Sequence, residues 1–558
     1  MIRDDLAHAV RRALADAGLP EPPGGVKIEP PKQRDHGDWA TNAALALAKQ
    51  VGRRPMEIAE QLAEKLDAAA VPHLERAEAA PPGFVNLYLR PTWLRDVLRS
   101  VVAAGGAFGT SDLLAGRRIN LEFVSANPTG PLHAGGGRWV AVGDAIANLL
   151  ASQGAVVHRE YYLNDTGNQL NTFRDSLYAR YHGEQPPEDG YQGQYLVDLA
   201  TQLRTERGDD VSPDEACTWG VQRIIEGLRD DLGRIGVHFD TWFSERTLHE
   251  RGDVADVLRV LEERGVVYDK EGARWLRSTD FGDPRDRVLV RADGTTTYLC
   301  NDLAYHRDKI GRGWNHLIDI WGADHHGQVK SLQCGMEALG YGPPPEPEVL
   351  LGQLVKLVRG SEEVRLSKRA GNIVTLADIL DEVDPDVARM TFLLQGIDSP
   401  QTFDLDVVTQ QSMENPVYYV QYAHARVSSI ERRAAEAGIG RAPIETVDLS
   451  PLTHERETEL LRLLAQYPDV VADAAATRAP QKVTIWAREL ARAFHGFYRD
   501  CRVISPDAGL TQARLWLSEA SRIGLANALG ILGVSAPAEM TRLADDDSDA
   551  ENGSQPHE

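Results

Sequence analysis

One stretch of the sequence, running from Arg118 to Gly154, constrains the fold of this chain more than any other. Apolar and polar residues alternate over Arg118–Val124, which predicts a β-strand. A proline-containing loop then leads to three consecutive glycines, Gly135–Gly137, and apolar residues at helical spacing continue to a glycine stop at Gly154. Such a strand–loop–helix is how α/β proteins offer backbone N–H groups to phosphate. The loop matches neither the Walker A pattern nor the GxGxxG dinucleotide pattern.

Length and charge bound what the chain can be. At 558 residues it is too long for one hydrophobic core, so we expect roughly three or four domains. The net charge of −23 argues against a polyanionic partner. However, residues 541–558 hold six acidic side chains and one arginine, whereas residues 415–540 carry 14 basic and 14 acidic ones. Because nucleic-acid binding needs only a local basic face, the total charge does not exclude it.

The composition predicts a cytoplasmic protein. No apolar run reaches the roughly 18 residues of a membrane helix, and the N-terminal segment lacks the apolar core of a signal peptide. The four cysteines are scattered and form no metal-ligand pair, which indicates free thiols in a reducing compartment. The sequence also lacks coiled-coil heptads, and we expect a monomer.

Changes in pattern divide the chain into four parts. Residues 1–108 mix helical and strand patterns, which predicts a small α+β domain. Strands and helices alternate over 109–400, which predicts a parallel sheet, with a mostly helical insertion at about 170–250. Residues 401–540 read as an α-helical bundle, and 541–558 as a disordered acidic tail. Within the second part, Thr295–Cys300 is predicted to be a strand.

Two separate elements suit phosphate binding. His133 precedes Gly135 and Gly136 at the start of a predicted helix, where backbone N–H groups and the helix dipole favour anions. Ser367 and Lys368 lie in a polar, glycine-punctuated basic loop. One rigid and one mobile phosphate-binding element would suit nucleotidyl transfer, in which the charge of the transition state is held from both sides.

A second group of polar residues suits another substrate. Tyr298 and Asp302 are expected to follow one strand, and Asp324–His326 follows another. The carboxyl ends of parallel strands are where α/β sheets bind ligands. Two histidines beside an aspartate could instead bind a metal ion, but no HExxH pattern or cysteine partner supports that alternative.

Taken together, these segments resemble the class I aminoacyl-tRNA synthetases, and among them the arginyl-tRNA synthetases. Ser125–Gly136 is similar to that family's version of the HIGH motif, and Arg365–Arg369 is similar to its KMSKS loop. Further segments resemble other blocks of the family: 36–42, 160–169, 319–327 and 415–426. The similarity runs from about residue 5 to residue 540 and leaves out the acidic tail.

The resemblance implies a fold and a reaction. A Rossmann-like catalytic domain would occupy 109–400, preceded by an additional tRNA-contacting domain and followed by a helical anticodon-binding domain. ATP, accompanied by Mg²⁺ from solution and without a dedicated metal site, would react with L-arginine to give arginyl-adenylate and diphosphate. The arginyl group would then pass to the 3′ end of tRNA(Arg), releasing AMP.

The resemblance also implies roles for individual residues. The catalytic ones would be His133, Arg365, Ser367 and Lys368. ATP would contact Pro128, Thr129, Gly130, His133, Gly135, Gly136, Arg138, Trp321, Gly322 and Lys368. Arginine would contact Ser125, Asn127, Tyr298, Asp302, Asp324 and His325. The tRNA would contact Lys32, Asn42, Tyr418, Tyr422 and Arg426, although aromatic residues at helical spacing more often form a core.

Two positions depart from the family pattern. Gly136 replaces the second histidine of HIGH, and Arg365 replaces the first lysine of KMSKS. We therefore expect the loop to depend on backbone N–H groups, and Arg138, Arg365 or Lys356 to supply part of the missing charge stabilisation.

Two alternative functions remain at this point. A catalytically inactive RNA-binding relative would explain Gly136, and a synthetase for another cationic amino acid, with lysine the nearest rival, would also use an acidic pocket. Pyrophosphate exchange tested against all amino acids separates these alternatives. Because the arginyl family often needs tRNA for activation, we expect exchange with arginine only when tRNA is present.

Overall fold

The structure is a computed structural model that describes residues 2–31, 33–342, 347–360, 362–363, 374–410 and 414–540. These residues fall into two compact units. The first draws on residues 1–104, 440–465 and 503–520, and the second on 105–439, 466–502 and 521–558. The predicted residues Lys32, Arg365, Ser367 and Lys368 lie outside the described residues, as does the acidic tail 541–558.

The first unit contains a three-stranded antiparallel sheet. Its strands are β1 Trp39–Thr41, β2 Leu74–Ala80 and β3 Phe84–Leu89, in the order β1-β3-β2. Within residues 2–104, four helices accompany them: α1 Ile2–Asp16, α2 Ala43–Val51, α3 Pro55–Ala68 and α4 Thr92–Ala104. The apolar stripes of these helices are buried, which agrees with the α+β pattern of this part of the sequence.

The remaining strands follow from residue 118 onward. They are β4 Arg118–Glu122, β5 Val156–Leu163, β6 Thr241–Ser244, β7 Val267–Lys270, β8 Ala273–Leu276, β9 Arg287–Val290, β10 His316–Gly322, β11 Pro347–Gly352, β12 Val355–Arg359, β13 Glu362–Glu363 and β14 Gln401–Asp404.

The remaining helices cover much of the chain from residue 137 to residue 532. They are α5 Gly137–Ser152, α6 Asn168–Tyr181, α7 Gln194–Arg207, α8 Pro213–Arg234, α9 Arg246–Glu250, α10 Asp253–Glu263, α11 Tyr298–Gly311, α12 His326–Ala338, α13 Leu376–Glu382, α14 Pro385–Phe392, α15 Leu405–Val408, α16 Pro416–Glu436, α17 Glu455–Thr477, α18 Gln481–Asp500 and α19 Ala508–Leu532.

A five-stranded parallel sheet is the centre of the second unit, with the strand order β11-β10-β4-β5-β6. From β4 the chain moves towards one edge through β5 and β6, and it later returns to build β10 and β11 on the other side. The order therefore reverses between β4 and β10, and in such sheets ligands bind beyond the carboxyl ends of the strands at that point. The predicted α/β class, with a Rossmann-like sheet and a C-terminal helical region, is confirmed.

Two predictions about strands are wrong. Thr241–Ser244 forms the edge strand β6, although the sequence pattern predicts that this segment belongs to a helical insertion. Thr295–Cys300 is not a strand, because α11 begins at Tyr298 after Thr297 and only Thr296 makes an isolated bridge to Val290. The threonines have high β propensity, but packing of α11 against α10 and α12 in one apolar core overrides it.

The C-terminal region is helical as predicted, since α16, α17, α18 and α19 account for most of residues 416–532. Pro416 stands in the first turn of α16, where its missing N–H costs no hydrogen bond. Across the described part of the chain, no helix is both long and apolar enough to cross a membrane.

Candidate active site

An open cleft of about 760 Å³ lies beside the carboxyl end of β5 and the start of α11. Its walls come from three places: the loop after β5 with the start of α6, the end of β6 with α9, and the turn before α11 with the first residues of that helix. The lining residues are Asn164, Thr166, Gly167, Asn168, Gln169, Glu245, His249, Arg291, Asp293, Thr295, Thr296, Tyr298 and Asn301.

Tyr298 and Asp302 are brought together by α11 rather than by a strand end, because a spacing of four residues places them on one helix face. Tyr298 is 60% exposed in the cleft, whereas Asp302, one turn along α11, is half-buried and is not among the described residues that line the cleft. The pKa of Asp302 is raised to about 7, chiefly by burial; the charge of His306 opposes the rise, and the neighbouring carboxylates of Glu122 and Glu245 add to it. A pocket with this surplus of acid favours a cationic ligand.

Glu245 is a site residue that the sequence analysis missed. It follows β6, it is 3% exposed, and it lines the same cleft as Tyr298. Asn301 donates a hydrogen bond from Nδ2 to Glu245 Oε1 at 2.6 Å, and Thr296 Oγ1 donates to Asn301 Oδ1 at 3.0 Å. Because residue 245 lies in a charged stretch of no recognisable motif, only the placement of β6 in the main sheet brings it here.

Ser125 and Asn127 begin the loop that follows β4. Ser125 Oγ donates to Glu122 Oε1 at 2.9 Å and accepts the backbone N–H of Tyr162 at 3.1 Å. Asn127 Nδ2 donates to the side-chain oxygen of Gln169, which lines the cleft. Gln169 is a second residue without a predicted role that the fold places at the site.

The glycine run differs from the expectation about backbone donors. His133 Nδ1 accepts the N–H of Gly135 at 2.9 Å, and His133 O accepts the N–H of Gly136 at 2.8 Å. The N–H of Gly137 goes to Ala134 O. All three N–H groups are therefore used within the short 3-10 helix Ala134–Gly136 and the start of α5, and the prediction that Gly136 offers its N–H to phosphate does not fit this geometry.

Close packing accounts for glycine at these positions. A Cβ atom on Gly136 would lie 2.9 Å from Leu132 Cδ1, and one on Gly137 would lie 3.0 Å from the Phe392 ring. The helix α5 therefore begins tight against its neighbours, and a side chain at either position would displace them.

Tyr195 of the insertion contacts the preceding segment, Pro128–Gly130, and holds it in place. Thr129 is buried, and its carbonyl oxygen accepts a hydrogen bond from Tyr195 Oη at 2.9 Å. A Cβ atom on Gly130 would lie 3.3 Å from the Tyr195 ring, so glycine permits this close approach. The insertion thus fixes the loop that the sequence analysis assigned to ATP.

Arg138 has a structural position instead of a phosphate-facing one. Its side chain is fully buried, and its guanidinium donates to the carbonyl oxygens of Gln353, Gly396 and Ser399. These bonds use the guanidinium to join the first turn of α5 to two loops. The expectation that Arg138 contacts ATP or stabilises the transition state therefore does not fit the structure. Lys356, another residue expected to supply charge stabilisation, is exposed on β12.

The residues that follow the predicted mobile loop are hydrogen-bonded to the residues on either side of His133. Ala134 donates its N–H to Val374 O at 3.0 Å, and Leu376 donates its N–H to Leu132 O at 2.8 Å. Val374 is the first described residue after the segment that contains Arg365, Ser367 and Lys368. The C-terminal base of that segment is therefore bonded directly to the HIGH-like loop.

The residues predicted at the end of β10 divide into two groups. Trp321 and Gly322 are half-buried at the end of the strand, and Trp139 packs across Gly322 and Gly352. Asp324 and His325 are exposed, with 3.6 Å between Asp324 Oδ2 and His325 Nε2. Neither is among the described residues that line the cleft around Tyr298.

Two of the predicted tRNA contacts are core residues. Tyr422 and Arg426 on α16 are 8% and 6% exposed, and Arg426 packs over the rings of Tyr422 and Tyr498. Their burial counts against direct contact with tRNA. Tyr418 is half-buried on the same helix, and Asn42 is half-buried before α2 in the first unit.

A different surface of the helical region is open to a ligand. A hollow of about 420 Å³ lies between α16 and α18 and is lined by Glu414, Pro416, Tyr419, Ile485, Arg488, Glu489 and Arg492. Arg488, Arg492 and the apolar Ile485 are exposed there. Basic side chains beside an aromatic ring suit stacked bases and phosphates.

Comparisons with known proteins decide the family. Models of the arginyl tRNA synthetase N terminal domain, the catalytic domain of class I (R) tRNA synthetases and the DALR anticodon binding domain match residues 4–89, 99–392 and 420–540. The arginine–tRNA ligase of Carboxydothermus hydrogenoformans is 42% identical over 553 residues, which cover 97% of this chain and 99% of the relative. The chain belongs to the arginyl-tRNA synthetase family. It is thus a class I aminoacyl-tRNA ligase.

Other relatives agree with this assignment. The arginine–tRNA ligase of Frankia alni is 45% identical to this synthetase over 550 residues, or 97% of this chain and 99% of the relative. A Campylobacter jejuni structure assigned as an arginyl-tRNA synthetase has a TM-score of 0.74 and 31% identity, and the match covers 81% of this chain and all of that one. The Thermus thermophilus arginyl-tRNA synthetase, 21% identical with a TM-score of 0.76 and coverage of 97% and 100%, shares the fold.

Proposed function

We propose that the crevice beyond β4, β5 and β10 is where this arginine–tRNA ligase makes and transfers its activated amino acid. The carboxylate of L-arginine attacks the α-phosphorus of ATP, diphosphate leaves, and arginyl-adenylate forms. A ribose hydroxyl at the 3′ end of tRNA(Arg) then attacks the carbonyl carbon and AMP leaves. Because the substrate carboxylate is itself the nucleophile, positioning and charge stabilisation are sufficient.

The single observation that carries this proposal is the acidic cleft around α11. Glu245, which lines the cleft, and Asp302, one helical turn along α11 from Tyr298, supply carboxylates for the guanidinium of arginine, and Tyr298 supplies a flat ring at the mouth. A guanidinium has five donors in a planar fork, whereas the ammonium of lysine is a point charge that would leave some of these acceptors unpaired. This difference supports discrimination against lysine without editing.

In this proposal the end of arginine that carries the α-amino and α-carboxylate groups lies towards β4 and β10. Ser125 and Asn127 take the backbone end of arginine, with Asp324 and His325 beside them. Pro128, Thr129, Gly130, Gly135, Gly136, Trp321 and Gly322 form the ATP side by packing and by shape.

His133, Arg365, Ser367 and Lys368 stabilise the charge that develops at phosphorus, and Lys356 assists them. Support for this arrangement comes from the bond between Ala134 and Val374, which ties the base of the second phosphate-binding segment to the first. Arg138 is left out, because its guanidinium is already bonded to carbonyl groups. Mg²⁺ arrives with the nucleotide, and the chain itself needs no dedicated site for it.

The tRNA spans the other domains in this proposal. The N-terminal domain, residues 1–108, contacts the tRNA through Lys32 and Asn42, and the helical domain, residues 401–540, binds the anticodon. Within the helical domain the hollow around Tyr419, Arg488 and Arg492, together with Tyr418, replaces Tyr422 and Arg426 as the contact surface. The chain acts as a monomer in the cytoplasm, with 109–400 as its catalytic domain and 541–558 as an appended tail.

Pyrophosphate exchange tests the proposed reaction. Labelled diphosphate is exchanged into ATP in the presence of each amino acid in turn, with and without tRNA(Arg). The expected result is exchange with arginine alone, and only when tRNA is added. Exchange with lysine would overturn the amino-acid assignment, and tRNA binding without any exchange would identify an inactive relative. Rapid exchange without tRNA would overturn the tRNA requirement alone.

A further inference from the structure

Lys309 is the most deeply buried of the described lysines, and the reaction above does not use it. The side chain lies on α11 and is fully buried. Its Nζ donates to Glu122 Oε2 and to Asp319 Oδ1, each at 2.7 Å, and lies 4.3 Å from the centre of the Tyr305 ring. Two hydrogen bonds and one ring contact thus account for the three N–H groups of the ammonium.

The bond to Glu122 leads to the loop after β4. The other carboxylate oxygen of Glu122 accepts the hydroxyl of Ser125 at 2.9 Å. Val124 and Ser125 have φ angles of 70° and 41°, a left-handed backbone that a β-branched valine rarely adopts. Because such a turn persists only where its surroundings hold it, Lys309 and Glu122 help to fix the point at which the loop leaves the sheet.

The bond to Asp319 fastens α11, the other wall of the pocket and the helix that carries Lys309 itself, to β10. Asp319 Oδ2 lies 2.7 Å from His306 Nε2, and His306 Nδ1 lies 2.8 Å from the carbonyl oxygen of Asp302. Burial lowers the pKa of His306, but the carboxylate of Asp319 and the carbonyl oxygen of Asp302 together raise it, and the net pKa lies above its ordinary value. A protonated His306 donates from both nitrogens, so this chain of bonds reaches the backbone of Asp302.

Lysine is an uncommon residue in this chain, so its use at position 309 calls for a physical reason. The sequence contains ten lysines against fifty arginines. Burying one ammonium with two carboxylates carries a desolvation cost that a well-packed apolar group would avoid, so stability alone is a weak reason for the cluster. A compact ammonium can bridge two carboxylates that arrive from different strands, β4 and β10, without the volume of a guanidinium.

We propose that Lys309 is a positioning residue that sets the distance between the two walls of the arginine pocket, acting on Ser125 through Glu122 and on Asp302 through Asp319 and His306. This inference rests on the proposed arginine pocket. The residue touches neither arginine nor ATP, and its effect is confined to how the amino acid is bound.

The test replaces Lys309 with methionine, which keeps the length of the side chain and removes the charge. Aminoacylation by the full chain with tRNA(Arg) is expected to show a KM for arginine at least tenfold higher, while the KM for ATP stays within twofold. Lys309→Arg, which keeps the charge, is expected to restore part of the affinity. An unchanged KM for arginine in folded Lys309→Met would overturn the proposal, and so would equal rises of both KM values.

A matched control separates positioning from stability. Arg389 is another buried cation of the same unit, with bonds to Asp144, Ile235 O and Leu532 O. Arg389→Met is expected to lower the melting temperature without raising the KM for arginine. If it raises that KM as much as Lys309→Met does, the effect is a general one of core damage and the proposal fails.

A double-mutant comparison tests the route through Ser125. If Lys309 acts through Glu122 on Ser125, the Lys309→Met/Ser125→Ala protein has a KM for arginine close to that of the worse single variant. If the KM for arginine of the double variant rises by the product of the two single-variant increases, this route is overturned. Should Lys309→Met fail to fold, Glu122→Gln takes its place, because it removes the negative charge from the same ion pair with little change in volume.

The same data distinguish failure of this inference from failure of the proposed pocket. Asp302→Asn tests the pocket directly and is expected to raise the KM for arginine. If Asp302→Asn and Ser125→Ala both leave that KM unchanged, the pocket itself is misplaced. If they raise it and the Lys309 variants do not, only the role of Lys309 is overturned.

Discussion

Ala134 donates its backbone N–H to the carbonyl oxygen of Val374 at 3.0 Å, and this bond joins the HIGH-like loop to the residue that follows the KMSKS-like segment in the chain. An isolated β-bridge pairs the neighbouring residues His133 and Thr375. Thr375 also caps the N-terminus of α13, and its side chain accepts the N–H of Asp378. Val374 and Thr375, which follow residues 364–373 in the chain, are therefore bonded to the loop at His133 and Ala134.

Ala134→Pro is expected to uncouple the two segments. Proline removes the N–H that Val374 accepts, and residue 134 otherwise tolerates it, because the position opens a helical turn and His133 has an extended conformation (φ −67°, ψ 142°). The loss of one hydrogen bond costs about 1 kcal/mol of stability. We expect kcat for pyrophosphate exchange to fall by about tenfold, equivalent to about 1.4 kcal/mol in the barrier. Ala134→Gly keeps the N–H and serves as the control, and wild-type kcat in the proline variant would contradict the coupling.

Binding of arginine should depend on the ionisation of Asp302. Its pKa is raised to about 7 by burial and by neighbouring carboxylates. The ionised form attracts the guanidinium, so kcat/KM for arginine is expected to level off above pH 7 and to fall about tenfold per pH unit below it. The measurement is aminoacylation at low arginine concentration from pH 5.5 to 8.5. Asp302→Asn should flatten this profile while Asp324→Asn preserves it, and a sloping profile in Asp302→Asn would assign the titration to another group.

The hollow on the helical domain should contribute to tRNA binding. Alanine at Arg488 and Arg492 is expected to raise the Kd for tRNA about tenfold and to reduce the slope of log Kd against log salt by about one for each phosphate that the protein no longer binds. Both residues line the hollow, whereas Arg499 on the same helix is exposed and bonded to Asp500. Arg499→Ala is therefore the matched control. Equal effects of all three substitutions would indicate general electrostatics rather than a defined binding surface.

Arg312 should stabilise the sheet through Glu160. Its guanidinium donates two hydrogen bonds to the buried Glu160 carboxylate, at 2.6 and 2.7 Å. Burial raises the pKa of Glu160, but hydrogen bonds with His158 and Arg312 hold it well below its ordinary value. Arg312→Met is expected to cost about 3 kcal/mol of unfolding free energy at pH 7, because it leaves a buried charge with fewer partners.

The stability lost in Arg312→Met should depend on pH, because the pKa of Glu160 is lowered in the folded protein. A carboxylate with a depressed pKa in the folded state contributes stability that is complete above its unfolded pKa and is lost as the pH falls. Urea unfolding of both proteins should therefore show a smaller difference at pH 3.5 than at pH 7. A difference that grows at low pH would rule out this ion pair as its source.

The amino-acid sequence by itself determined the elements whose signals are local. The strand–loop–helix from Arg118 to Gly154 and the helices after Pro416 were predictable, because side-chain periodicity, glycine stops and a first-turn proline act within a few residues. The family was also recognisable from short segments such as Ser125–Gly136, since each keeps its residue types in order.

Only the tertiary structure decided which side chains face the site. Arg138, Tyr422 and Arg426 have the chemistry of ligands for phosphate or RNA, but packing buries them, and burial depends on residues distant in sequence. Glu245 and Lys309 carry no local signal, yet strand order places them beside Asp302 and Glu122. Tyr298 likewise starts a helix in spite of the preceding threonines, because the core behind α11 outweighs local propensity.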